Sequence, residues 1–259
     1  MSTFSERYNH QPTDAEITLR DEAPEALRYA VLQLALDNGL GPSGLREIVC
    51  GILFVPPDRG NWSEYPNIWD EIQRLLEDAP WYRVYDIAEA IYHRIRFDKQ
   101  DAYADALNRY FRQAGIGWQL TREGIMYRGD ETYAAATRNA EEILGATHRQ
   151  NAANEIKEAI RDISRRPTPD TTGAIQHSMA ALECVARDVL GSPNETLGAL
   201  LPRLGLPRPL DTAIEKMWGF SSERARHIRE GQTVDDTQAE LIVSVACAVS
   251  AFLAKRGMP

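Results

Sequence analysis

The sequence has few cysteines, no long apolar run and no excess of positive charge. Three cysteines occur among its 259 residues, Cys50, Cys184 and Cys247, each among apolar neighbours. An odd and small number of this kind excludes a disulfide framework and predicts buried, reduced thiols. The most apolar run, residues 241–253, falls short of the roughly 20 residues that a membrane span needs. We therefore expect a buried helix there and no membrane partner.

The charge balance limits the kinds of partner that the chain can have. Its formal net charge of -9 excludes a protein that binds nucleic acid over its whole surface, because phosphate binding needs concentrated Lys and Arg. A local basic patch remains compatible with this balance. Residues 1–18 are polar and lack the apolar core of a secretory signal, so we expect a cytoplasmic protein.

Common catalytic motifs are also missing. The sequence contains no Gly-rich phosphate loop, nucleophile elbow or metalloprotease helix. His10, His93 and His148 have no Cys or carboxylate partners at metal-ligand spacing, so neither a metal nor another cofactor is expected. The tryptophans are typical of core residues, except that Trp118 and Tyr127 fall on a predicted β-ribbon where they could stack on bases.

Apolar residues recur at helical spacing along most of the chain and predict a mainly α fold. The period changes at residues 116–127, where two short alternating segments flank a turn and predict a small β-hairpin. A Pro-rich polar stretch at residues 165–173 is typical of a domain boundary. The sequence thus predicts an N-terminal helical domain with the hairpin, residues 1–165, and a C-terminal helical bundle, residues 173–259.

Several segments of the last 87 residues resemble one known family in their order and spacing. They include Thr-Leu-Gly at 196–198, Lys-Met-Trp-Gly-Phe at 216–220 and Arg-His at 226–227. The full set is 173–183, 196–201, 215–220, 225–228, 238–241 and 247–253. These segments resemble the HEPN-like domain found behind the fourth class of AbiJ N-terminal domain in bacterial abortive-infection proteins. Residues 4–8 and 19–28 are similar to that N-terminal domain.

This resemblance implies a function. HEPN domains are helical bundles that dimerise, and many are metal-independent endoribonucleases of defence systems that use an Arg and a His. In such chemistry the RNA 2'-hydroxyl attacks the neighbouring phosphate, a guanidinium holds the developing charge and an imidazole moves the proton. The resemblance therefore implies RNA as substrate, a homodimer formed through the HEPN-like domain and a partner defence protein.

The residues that match this chemistry lie in one basic cluster of an acidic chain. Arg226 and His227 are the expected catalytic pair, and Arg224 and Arg229 are expected to bind RNA phosphates. Glu183, on the opening helix of the bundle, is expected to orient the pair. The alternative is structural, because Arg226 and His227 can equally cap a helix or pair with Glu183 inside the bundle.

One departure from the nuclease pattern keeps a second function open. The family places the His four to six residues after the Arg, whereas Arg226 and His227 are adjacent, and Ser222 stands five residues before the His. The rival hypothesis is a catalytically inactive HEPN-like scaffold or sensor that binds a partner protein, a nucleotide or RNA.

Overall fold

The computed structural model describes residues 4–8, 10, 14–166, 168–226 and 234–257. These residues form a mainly helical fold with one small antiparallel hairpin, which confirms the predicted fold class. By packing, the chain divides into two compact units, the first ending at Met126 and the second beginning at Tyr127.

The first unit is built from helices that follow the predicted apolar stripes. Leu27, Leu107 and Phe111 are fully buried, as their helical spacing predicted. Its helices are α1 (Phe4–Arg7), α2 (Glu25–Asp37), α3 (Pro42–Leu53), α4 (Trp69–Asp78), α5 (Trp81–Arg94) and α6 (Phe97–Gln113), with a π-helical turn at Glu64–Ile68. The hairpin consists of β1 (Trp118–Thr121) and β2 (Gly124–Tyr127).

The hairpin is held on helix α6 by a reciprocal pair of hydrogen bonds. The Asn108 side chain donates to the Leu120 carbonyl at 2.8 Å and accepts from the Leu120 N–H at 2.7 Å. The indole of Trp118 donates to the Arg20 carbonyl at 2.7 Å. Trp118 and Tyr127 are 5% and 1% exposed. The suggestion that these two rings stack on bases is wrong, because rings buried to this extent are not accessible to a base.

Arg28 joins α2 to the end of α4 in the first unit. Its guanidinium donates to the carbonyls of Ala23 at 2.9 Å, Ala79 at 2.8 Å and Leu76. The last carbonyls of a helix have no intrahelical partner, so Arg28 supplies the hydrogen bonds that α4 itself cannot. This contact fixes the crossing of the two helices.

We predict that Arg28→Met lowers the free energy of unfolding by about 1.5–3 kcal/mol, because hydrogen bonds from a charged donor are lost while the apolar stem stays. Urea unfolding followed by circular dichroism measures the effect. Arg74→Met is the matched control, since Arg74 is exposed and bonds only within its own helix, to the Asp70 carbonyl at 3.2 Å. Equal stabilities of the two variants would contradict the assignment.

The second unit surrounds one central helix, α9 (Thr171–Leu190). The other helices are α7 (Glu131–Ala146), α8 (Gln150–Ser164), α10 (Leu197–Leu200) with a 3-10 turn at Leu201–Arg203, α11 (Leu210–Arg226) and α12 (Asp236–Arg256). Of these, α8, α10, α11 and α12 contact α9. Three begin at an aspartate whose carboxylate accepts an N–H of the first turn, Asp130, Asp170 and Asp235. Gly191 ends α9 in the left-handed conformation, with φ of 61°.

The Pro-rich stretch at residues 165–173 does not separate the helices that pack together. Helices α7 and α8 precede the Pro-rich stretch, yet α8 packs along α9 and α7 packs along α12. The apolar stripes of α9 and α12 are each wider than one neighbouring helix can bury. Helix α8 buries part of the α9 stripe, and helix α7 buries part of the α12 stripe. The separate folding of residues 1–165 and 173–259 stays a prediction.

Helix α12 contains the predicted apolar run and extends beyond it at both ends. By length and composition alone it could cross a membrane, and no other helix of the described ranges could. In the structure half of its most apolar window is buried, and it packs against α9 and α7 as a core helix. Cys247 lies on its buried face, and burial raises the pKa of that thiol to about 12. Cys50, Cys184 and Cys247, all within the described residues, form no disulfide.

Candidate functional site

The predicted basic cluster lies where helix α11 ends. Arg224 and Arg226 occupy the last turn of α11, and their side chains lie outside the described residues, as do His227 and Arg229 altogether. The chain is described again from Val234, whose carbonyl accepts a 2.8 Å hydrogen bond from the Thr171 hydroxyl at the start of α9. The catalytic and phosphate-binding roles of the four residues stay predictions.

Helix α11 is positioned by the ring of Trp218. A Cβ at Gly198 would lie 2.9 Å from that ring, so the ring can lie against helix α10 because residue 198 has no side chain. Two of the segments that resemble the HEPN-like domain, 196–201 and 215–220, therefore pack against each other. The contact between Gly198 and Trp218 explains why a glycine in the first segment occurs together with a tryptophan in the second.

Glu183 holds the start of α10 in place. One carboxylate oxygen accepts the Leu197 N–H at 2.8 Å, and the other pairs with Arg187 at 2.5 Å. Arg187 in turn donates to the Glu195 carbonyl at 2.7 Å. A carboxylate that satisfies the first turn of a helix has a structural role. The additional role predicted for Glu183, orienting Arg226 and His227, stays a prediction.

A second group of charged residues was not found from the sequence. We call it the acid–histidine cluster, formed by Glu155, Asp162 and Arg165 on or next to α8 and by His177 on α9. His177 Nδ1 lies 2.7 Å from Glu155 Oε2, and its Nε2 lies 3.5 Å from Asp162 Oδ2. Arg165 pairs with the other Asp162 oxygen at 2.7 Å. The spacing of seven residues from Glu155 to Asp162 places both carboxylates on one face of α8 and is the signal available in the sequence.

The acid–histidine cluster connects helix α8 to helix α9. Asp162 is 3% exposed, and burial raises the pKa of its carboxyl while Arg165 and His177 act in the opposite direction. Both ring nitrogens of His177 face carboxylates, so neither is directed at an incoming substrate. A Cβ at Gly173 would lie 2.5 Å from Asp162, which explains a glycine in the first turn of α9. We assign the cluster to the joining of α8 and α9.

The described part of the chain contains no group of three His, Cys, Asp or Glu side chains placed to hold a metal ion. The predicted roles of the basic cluster involve phosphate binding and proton transfer, for which guanidinium and imidazole groups are sufficient.

The domain family described as AbiJ N-terminal domain 4 matches residues 2–142. The chain belongs to the family of proteins that carry this domain. The AbiJ domain indicates a protein of abortive infection, that is, of antiviral defence. Comparison with curated proteins and with solved structures gives no match.

Proposed function

We propose that this defence protein acts on RNA through a HEPN-like C-terminal bundle, as a metal-independent endoribonuclease. The observation that carries the proposal is the position of Arg224 and Arg226 in the last turn of α11, a helix that packs on α9. The contact of Trp218 with Gly198 supports the HEPN-like assignment, because it joins two of the segments on which the resemblance rests.

The proposed mechanism assigns each polar residue one task. Arg226 holds the phosphate bidentately and stabilises the charge that develops on it. His227 transfers the proton as the 2'-hydroxyl attacks, the bond to the 5'-oxygen breaks, and a 2',3'-cyclic phosphate and a 5'-hydroxyl form. Arg224 and Arg229 bind neighbouring backbone phosphates, and Glu183 orients the pair.

The direct test is to incubate the purified protein with total RNA without added metal and to analyse the fragment ends. Fragments with cyclic-phosphate ends support the endoribonuclease. RNA that stays intact when the folded protein is present would contradict it.

The second candidate is the catalytically inactive scaffold or sensor, which binds a partner protein, a nucleotide or RNA. It is favoured by the contacts of Glu183, whose two oxygens are already engaged by Arg187 and the Leu197 N–H. The adjacency of Arg226 and His227 points the same way. Binding without cleavage, or a stable complex with a partner defence protein on co-purification, identifies this candidate.

A homodimer is part of the proposal, and helix α12 offers a face for it. Leu241 is 65% exposed and Phe252 is 44% exposed, and Ala248 is exposed between them. Val245, which is half-buried, lies one turn after Leu241. Together these four residues recur at helical spacing and form an apolar stripe along the solvent side of α12. A two-fold interface pairs a surface with itself, and such a stripe is self-complementary.

The absence of disulfides at the three cysteines fits the cytoplasmic location that we propose.

We predict that Leu241→Glu dissociates the dimer, because it places a charge within the apolar stripe that forms the contact. Light scattering coupled to size exclusion should give a dimer mass for the wild type and a monomer mass for the variant. Leu210→Glu is the matched control, because Leu210 on α11 is 45% exposed and lies off the stripe. A wild-type protein that is monomeric at all concentrations would remove both the interface and the dimer.

A further inference from the structure

Four large aromatic side chains of the first unit are exposed beside the connection between α3 and α4. Phe54 ends α3 and is 84% exposed, and Trp62 in the following loop is 86% exposed. Tyr65 and Tyr82 are 57% and 49% exposed. We call these four residues the aromatic surface. Single exposed apolar side chains are ordinary, whereas several grouped at one place mark an interaction site.

The loop that carries Trp62 is fixed by hydrogen bonds on both sides of this residue. The buried carboxylate of Glu71 accepts from the Asn61 side-chain amide at 3.1 Å, and the Arg46 guanidinium donates to the Asn61 carbonyl at 2.6 Å. On the other side, the Glu64 carboxylate accepts a 2.8 Å hydrogen bond from a serine hydroxyl at the start of α3. Because the loop is already ordered, a partner that covers Trp62 loses little conformational entropy on binding.

Phe54 has a backbone conformation that suits glycine better than a large side chain. Its φ of 57° lies in the left-handed region, which is strained for bulky residues. A glycine would end α3 there without strain. The exposed ring of Phe54 contributes little to the core, so the core does not explain a phenylalanine at this position. The strain therefore points to a contact of this ring outside the chain.

The aromatic surface already holds a guanidinium between two of its rings. The Arg83 guanidinium carbon lies 5.9 Å from the centroid of the Phe54 ring and 5.6 Å from that of the Tyr82 ring. Both distances are within the range of a cation–π interaction. Asp86 pairs with the same guanidinium at 3.0 Å. Aromatic rings next to a carboxylate thus bind an arginine side chain within this surface itself.

The charge of the first unit decides between nucleic acid and protein as the occupant. Residues 1–126 contain 20 Asp and Glu against 13 Lys and Arg, so this unit carries most of the negative excess of the chain. Close to Trp62 in the sequence, the exposed Asp58 and Glu64 outnumber the exposed Arg59. Proteins that stack aromatic side chains on bases do so in positively charged grooves. An aromatic surface on an acidic unit is instead complementary to a cationic protein.

We propose that the aromatic surface binds an arginine-rich segment of a partner protein. Guanidinium groups of that segment stack on Trp62 and Phe54 and pair with the neighbouring carboxylates. Arginine is preferred to lysine because its guanidinium is planar and more weakly hydrated than an ammonium group. The inference goes beyond the proposed RNA chemistry, since it concerns the first unit alone and holds whether or not the second unit cleaves RNA.

Fluorescence anisotropy of labelled peptides, titrated with the full chain, tests the proposal. An oligoarginine and an oligolysine of equal length carry the same charge, so the ratio of their affinities reports stacking rather than charge. We expect the wild type to bind the oligoarginine at least about fivefold more tightly. In Trp62→Ala the ratio should fall to within about twofold. Equal affinities of the two peptides for the wild type, or no binding up to about 1 mM, would overturn the proposal.

Two further variants separate the surface from general effects on the fold. Phe97→Ala is the matched control, because Phe97 is 87% exposed at the start of α6 and is not part of the aromatic surface, and it should keep the wild-type ratio. Phe54→Gly relieves the backbone strain, so it should unfold at a urea concentration no lower than the wild type, yet its ratio should fall at least about twofold. A wild-type ratio in Phe54→Gly, or an equal loss in Phe97→Ala, would contradict the assignment.

Trp62 also reports directly on where the peptide binds. It is the most exposed of the five tryptophans, since Trp118 is buried and the others are half-buried, Trp69, Trp81 and Trp218. Acrylamide should therefore quench the fluorescence of the wild type more than that of Trp62→Ala, and the oligoarginine should remove this difference. Quenching that the peptide leaves unchanged would place the peptide elsewhere and contradict the proposal.

Single-stranded RNA and a second copy of the chain are the other occupants that these measurements identify. An oligoadenylate that binds more tightly than the oligoarginine, and loses its binding in Trp62→Ala, would make this a nucleic-acid surface and overturn the protein partner. A wild-type oligomer that Trp62→Ala dissociates in light scattering would make the surface self-associating and would overturn it as well.

Discussion

Alanine at position 226 or 227 is expected to abolish RNA cleavage and the toxicity that follows from it. Removing a general acid–base group costs roughly 10²–10⁴-fold in rate, and removing a donor that stabilises the developing charge costs roughly 10²–10³-fold. The two residues act in one step, so the double variant should lose little more than the more damaging single variant. Rates of appearance of cyclic-phosphate ends on a defined RNA, and growth of cells that express each variant, measure the two effects.

The controls for this experiment remove the same side chains elsewhere. His93 and Arg94 are exposed and lie together on α5 of the first unit, so His93→Ala and Arg94→Ala make the same chemical changes outside the basic cluster. Both should cleave RNA at the wild-type rate. Circular dichroism melting must show that all five variants, the double variant included, are folded. Wild-type rates in both the Arg226 and the His227 variants would remove these residues from the mechanism and favour the inactive scaffold.

Phosphate binding by the flanking arginines should have a different signature. If Arg224 and Arg229 bind only backbone phosphates, their replacement weakens RNA affinity and its salt dependence and leaves the chemical step unchanged. This contrast separates residues that hold the substrate from residues that react with it.

Local sequence patterns predicted the elements of this fold. The hairpin followed from a change of period at residues 116–127, and β1 and β2 occupy Trp118–Thr121 and Gly124–Tyr127. The apolar run at 241–253 lies within α12, and Ile242, Val243 and Ala246 of that run are on its buried face. Such predictions succeed because helix and strand periods are set by the backbone geometry of neighbouring residues.

Contacts between distant residues were beyond the reach of those patterns. Nothing near Glu183 indicates that its carboxylate accepts the N–H of Leu197, and nothing near His177 indicates Glu155, 22 residues earlier, as its partner. The burial of Trp118 likewise depends on the carbonyl of Arg20. Each of these contacts requires the crossing of two helices or loops, which a period along one segment does not encode.

The domain boundary also depends on contacts between distant residues, which local sequence patterns do not show. A Pro-rich stretch indicates where helices stop, and α8 does end at Ser164. It does not indicate whether the helices on its two sides share a core. Helices α8 and α9 flank this stretch and pack along each other, with the acid–histidine cluster between them.

Two fragments of the chain are therefore expected to behave differently. Residues 127–259 contain all of the second unit and should unfold in one cooperative transition. Residues 173–259 lack α7 and α8, which contribute the fully buried Leu144, Ile156 and Ile163. Each such side chain stabilises the folded state by about 1.5–3 kcal/mol, so their loss alone is comparable to the whole stability of a domain, about 5–15 kcal/mol.

The shorter fragment should show no cooperative thermal transition and little dispersion in its amide NMR spectrum, because α9 and α12 lose the helices that cover them. A matched variant keeps the length of the longer fragment and removes only the packing. Ile156→Ala in residues 127–259 should cost about 2–5 kcal/mol, whereas Ala146→Gly at the exposed end of α7 should cost about 1 kcal/mol or less. A stable, cooperatively folded 173–259 fragment would establish the boundary at the Pro-rich stretch. It would also show that the bundle folds without α7 and α8.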